Sequence, residues 1–110
     1  MDIADYRQRI EGELTELARA SADAKDARAP VELDQQSVGR LSRMDAMQVQ
    51  AMAKETERRR QGRIEALQAA LKRIDGEEFG FCIACGEAIA EKRLDLDPAV
   101  STCIDCAGRG

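Results

Sequence analysis

Four cysteines set the strongest constraint on what this 110-residue chain can fold into. They stand as two Cys-x-x-Cys pairs, Cys82/Cys85 and Cys103/Cys106, with 17 residues between the pairs. A Cys-x-x-Cys turn places both sulfurs on one side of a tight backbone loop. Two such turns face to face complete the tetrahedral four-sulfur shell that zinc favours. Gly86, directly after Cys85, supplies the tolerance of positive φ that the turn needs. A closed thiolate shell leaves no open coordination position, so the spacing predicts one structural zinc rather than a catalytic one. The alternatives are free thiols, two disulfides, or an iron–sulfur cluster, whose usual cysteine spacings differ from this one.

The rest of the composition says why such a staple is needed. With Tyr6, Phe79 and Phe81 as its only aromatic residues, the chain cannot build a large conventional core. It is 35% charged and rich in Ala, Glu, Arg, Leu and Gln, the make-up of exposed helices. The formal net charge of −4 argues against nonspecific nucleic-acid binding, which needs surplus Lys and Arg to displace counterions. Charge is also unevenly placed. Acids and bases number 8 and 5 in residues 1–33, 6 and 9 in 34–75, and 7 and 3 in 76–110. No apolar run approaches the ~20 residues of a membrane span, and the N-terminus MDIADYRQRI does not read as a signal peptide. A cytoplasmic setting follows as the expectation, in which paired cysteines serve as metal ligands rather than disulfides.

Upstream of the cysteines the pattern is helical. Ile3, Tyr6, Ile10, Leu14, Leu17, Ala20 and Ala24 recur at steps of three and four, which predicts an amphipathic helix over about 3–27. Pro30 ends it, because its ring drives Ala29 out of helical geometry. A second helix is expected from Asp34 or Ser37, both N-cap types, to Asp75, with Gly76 as its stop. Val38, Leu41, Met44 and Met47 make one apolar stripe on it, and Ile64, Leu67, Leu71 and Ile74 a second. Both are read as the seam of an antiparallel hairpin. The expected architecture is thus mostly α: a helical hairpin over 1–75 with its bend near 28–34, then a four-cysteine zinc region over 76–110.

The zinc region resembles that of the DksA/TraR family of bacterial transcription regulators. The likeness rests on Phe79-Gly80-Phe81-Cys82, Cys85-Gly86, Ile89, Arg93-Leu94, Pro98 and Cys103-x-x-Cys106. The helix pair with its bend near Pro30 resembles that family's coiled-coil hairpin. The resemblance implies a protein that binds RNA polymerase without binding DNA and inserts its hairpin into the secondary channel. It also implies that acidic residues at the hairpin tip act there. The family's tip pattern, Asp-x-x-Asp-x-Ala, is absent. Asp34 takes the place of its first acid while Ser37 and Gly39 take the other positions, and Asp23 and Asp26 keep both acids but are followed by Arg28. Asp34 and Ser37 are accordingly the candidate tip residues, with helix capping as their alternative role.

Two other classes compete. A nucleic-acid-binding zinc ribbon is disfavoured because residues 76–110 hold seven acids against Lys92, Arg93 and Arg109. A helical interaction module with a structural zinc, docking on another protein or on itself, would use the same Leu and Met stripe; a monomer is the favoured state. Enzyme chemistry is not expected, since the chain has no histidine and no phosphate-binding glycine loop.

Overall fold

A computed structural model describes residues 1–29 and 40–109, with the side chains of all of these except 40–42. Five helices occur among the described residues: α1 (Ile3–Asp23), α2 (Lys25–Arg28), α3 (Arg40–Asp75), α4 (Glu91–Leu96) and α5 (Ile104–Arg109). No helix of the described residues is long and apolar enough to cross a membrane. The first helix stops at Asp23, short of the expected residue 27, and Ala24 separates it from the four-residue α2. Ala29 then turns extended, with φ −63° and ψ 152°, the geometry forced on the residue before a proline. The expected N-caps Asp34 and Ser37 lie outside the described residues.

The helix α3 ends by a different device from the one read in the sequence. The amide of Glu78 bonds the carbonyl of Arg73 at 2.7 Å and that of Glu77 bonds Ile74 at 3.1 Å. These are the paired hydrogen bonds of a Schellman cap, whose left-handed position is Glu77 at φ 60°. Gly76 sits one residue earlier, its amide still bonded to the carbonyl of Lys72.

Contacts group the chain into two compact units, Met1–Thr15 with Arg63–Gly110 and Glu16–Gly62. In the first unit α1 and α3 run antiparallel, since Arg7 pairs with Asp75 and Glu13 with Arg63. The apolar core lies here. Tyr6 and Ile10 of α1 and Leu67, Ala70 and Ile74 of α3 are buried, as are Phe79, Cys82, Ile89, Leu94 and Ala99 of the cysteine region. The second stripe of α3 is therefore a seam, as its spacing predicts, whereas Ile3 at the start of α1 is exposed.

The second unit is also an antiparallel pair, with Ser21 against Glu57 and Ala29 against Gln50. Its seam is polar. Half-buried Gln50, Ala53, Glu57 and Arg60 recur at steps of three and four on the inner face of α3. The expectation that Met44 and Met47 fill this seam is corrected: they are 55% and 53% exposed. The physical reason is that hydrogen bonds from Ser21 and Arg28 to Glu57 fix which face of α3 turns inward. Val38 lies outside the described residues, as does the side chain of Leu41.

Candidate metal centre

The first cysteine pair is held on a small antiparallel turn. Phe81 and Ala88 form an isolated bridge, Cys82 N–H donates to Glu87 O at 2.8 Å, and Ile89 N–H donates to Gly80 O at 2.7 Å. Gly80 and Gly86 have φ of 92° and 78°, the left-handed region open to glycine without strain. Gly86 N–H closes the Cys-x-x-Cys loop on Cys82 O at 2.9 Å. The second pair brackets the start of α5, where Ala107 N–H bonds Cys103 O at 2.9 Å. Two hydrogen bonds join the halves: Ile83 N–H to Ser101 O at 2.9 Å, and Arg93 Nε to Thr102 O at 3.0 Å.

This framework brings together all four cysteines read from the sequence. Their sulfurs lie within 4.8 Å of one another. All four are free thiols, and Cys85 Sγ stands 3.7 Å from Cys103 Sγ, far beyond the ~2.05 Å of a disulfide. The edge of a tetrahedron with Zn–S bonds of ~2.3 Å is ~3.8 Å, so the observed separation fits a four-thiolate zinc shell. Electrostatics agree. The backbone amide of Cys103, followed by those of Cys85 and Ala84, holds the Cys82 thiol down to about 6. Hydrogen bonding with the sulfur of Cys103, then with those of Cys82 and Cys85, pushes Cys106 up to about 12. Four sulfurs this close shed all their protons only to a cation, and a soft donor set with no imidazole suits zinc.

Several polar contacts anchor this region to the helices of its unit. The Tyr6 hydroxyl donates to the Asp95 carboxylate, and Arg9 Nη2 donates to Asp95 O at 2.8 Å. Arg63 forks onto Glu13 at 2.5 and 3.0 Å and reaches Asp97 Oδ1 at 2.9 Å. Asp97 Oδ1 also accepts Ala99 N–H at 3.0 Å. Arg63 closely follows Arg58, Arg59 and Arg60 in a basic stretch of the sequence. That stretch is locally neutralised, with Arg58 and Arg59 on Glu55 and Arg60 on Glu57. The contacts of Arg63 reach 50 residues back to Glu13 and 34 residues on to Asp97, and carry no local signal. Asp34 and Ser37, the candidate tip residues, lie outside the described residues, while Asp23 and Asp26 are exposed.

Comparison with known protein families finds a match in the same region. The prokaryotic dksA/traR C4-type zinc finger matches residues 77–109. The RNA polymerase-binding transcription factor DksA of Haemophilus influenzae is 42% identical over 43 residues, which are 39% of this chain and 30% of that protein. DksA of Escherichia coli K12 is 40% identical over 43 residues, 39% of this chain and 28% of that protein. The match thus spans less than a third of these relatives' length. Transcription factor DksA2 from Pseudomonas aeruginosa shares the fold, with a TM-score of 0.76 over 97% of this chain and 81% of that one, at 19% identity.

Proposed function

We propose that the chain is a member of the DksA/TraR family and, on that premise, an RNA polymerase-binding transcription regulator rather than an enzyme. The observation that carries the reading is the four-thiol cluster, formed by cysteines that all fall inside the family's zinc-finger match. In this reading Cys82, Cys85, Cys103 and Cys106 hold one zinc. The metal acts as a cross-link between the two cysteine turns and does no chemistry of its own.

The helical hairpin would enter the polymerase secondary channel, leaving duplex DNA uncontacted, in the cytoplasm. Asp34, with Ser37 in the place of a second acid, is the residue proposed to act there. The test is co-migration of the zinc-loaded chain with purified polymerase on gel filtration, paired with transcription in vitro. Binding at micromolar concentrations is expected, with Asp34→Asn keeping that binding but losing the effect on transcription. Independent migration of the two proteins would refute the reading.

One observation favours a second reading, a helical module that docks on itself or on another protein. Met44, Met47, Val49 and Met52 of α3 are all exposed. Light scattering separates the two: a dimer dispersed by Met47→Ser and Met52→Ser together supports self-association, and a monomer in both proteins removes it.

A further inference from the structure

Beside the four sulfurs a cavity of about 600 Å³ opens between α4 and α5, within the size range of sites that accept a ligand or a protein side chain. Cys85, Cys103 and Cys106 form one end of it. Its large apolar lining comes from Leu96 and Ile104, which are 87% and 73% exposed, whereas Ile89 and Leu94 of the same region are buried. Two bulky aliphatic side chains left in water around a concavity mark a contact surface.

Charge decides what fits there. Residues 76–110 contain seven acids and only three cations, Lys92, Arg93 and Arg109. All three cations line this cavity, and none forms an ion pair among the described residues. Of the seven acids only Glu87 and Asp105 join them, both within two residues of a cysteine. The other five lie elsewhere on the region. An anionic partner is therefore repelled by most of this region and attracted at one place. Arg93 is also held in position there by its bond to Thr102 O, so little side-chain freedom is lost when it is met.

We propose that this cavity docks an acidic, apolar peptide segment of a protein partner. A bulky apolar side chain of that segment sits between Leu96 and Ile104, and its flanking carboxylates meet Lys92, Arg93 and Arg109. The site goes beyond the polymerase reading and does not depend on it, because the surface selects a segment by chemistry and any protein presenting one qualifies.

Random-peptide display against the zinc-loaded full chain tests this directly, with polymerase absent. The expected result is a family of selected peptides with more Asp and Glu than Lys and Arg around one Leu, Ile or Phe. Their affinity should fall by about tenfold or more for Leu96→Ser and for Lys92→Glu with Arg109→Glu. It should also weaken several-fold as salt rises, since Lys92 and Arg109 are exposed. These side chains lie on the surface, so zinc content and helicity should stay at the wild-type level. Failure to enrich any family, enrichment of basic peptides, or equal affinity for the variants would each overturn the proposal. So would a concentration-dependent dimer that Leu96→Ser converts to monomer, which would assign the surface to a second copy of the chain.

Discussion

Tyr6 shows how a single side chain ties the helices of its unit to the cysteine region. It is 3% exposed, its ring centre lies 5.3 Å from that of Phe79, and its hydroxyl donates to Asp95. The hydrogen bond to Asp95, with burial second, pushes its ionisation up to about 12. The unfolded value is ~10. A raised phenol favours the folded state while the proton is on, so this contribution is complete below pH ~10 and is lost as the pH climbs from there to about 12. Tyr6 is the only tyrosine and there is no tryptophan, so tyrosinate absorbance reads this group alone. Titration should give an apparent value near 12 in the native protein and near 10 in denaturant. Asp95→Asn should bring the native value down toward 10, and an unchanged value would rule out the contact. Tyr6→Phe should cost ~1 kcal/mol in a denaturant melt, since exposed Asp95 can turn to water. The helical stripe announces that Tyr6 faces inward, but its partner 89 residues away leaves no trace in local sequence.

At the scale of elements, spacing announces the inner face of α1 and of the second half of α3, because there the seam is apolar and periodicity reports it. In the second unit the seam is chosen by hydrogen bonds, which hydropathy cannot see, and Met44 and Met47 consequently end up in water. Glu57 organises that seam. It accepts from Ser21 at 2.5 Å and from Gln61 at 2.9 Å, and it pairs with Arg60 and Arg28. The Ser21 hydroxyl, followed by Gln61 and the arginines, holds its carboxyl down to about 2. A lowered carboxyl stabilises the fold above its unfolded value of ~4.5, and the benefit is lost as pH falls from there toward 2. Glu57→Gln should therefore lower the melting midpoint at neutral pH, with the gap to wild type closing below pH ~4. A constant gap across that window would show that the charge of Glu57 does not matter. Glycine accounts for only part of the end of α3, which falls at Asp75 as its spacing predicts. Gly76 invites the role of helix stop, yet the left-handed residue is Glu77. A side chain at φ 60° is strained, so Glu77→Gly should stabilise the chain by ~0.5–1 kcal/mol, partly offset by the looser unfolded chain. A destabilisation on chemical denaturation would show that the cap tolerates Glu77 without cost.

Over the whole molecule, the two Cys-x-x-Cys pairs were the most legible feature, since metal geometry dictates their spacing and all four sulfurs do converge. What the spacing does not reveal is how much of the chain depends on them. The apolar core of the first unit is shared between the cysteine region and the two helices. Cys82, Phe79, Ile89 and Leu94 are buried in the same unit as Tyr6, Ile10, Leu67 and Ile74. Zinc binding at a structural site is worth on the order of 10 kcal/mol, comparable to the whole stability of a small domain at ~5–15 kcal/mol. Stripping the metal with a chelator, or replacing Cys82 by Ser, should therefore release more than the zinc-finger segment 77–109. Hydrogen exchange should rise across that segment and also in residues 1–15 and 63–75, whose core partners are lost with it. The second unit draws its seam from Ser21, Arg28, Gln50, Glu57 and Arg60, whose hydrogen bonds among the described residues run to partners within that unit. Exchange within 16–28 and 43–62 should therefore change far less, and circular dichroism should fall only in part. Uniform deprotection of both units would mean that they unfold as one. No change in residues 1–15 would mean that the helices of the first unit hold their own core without the metal.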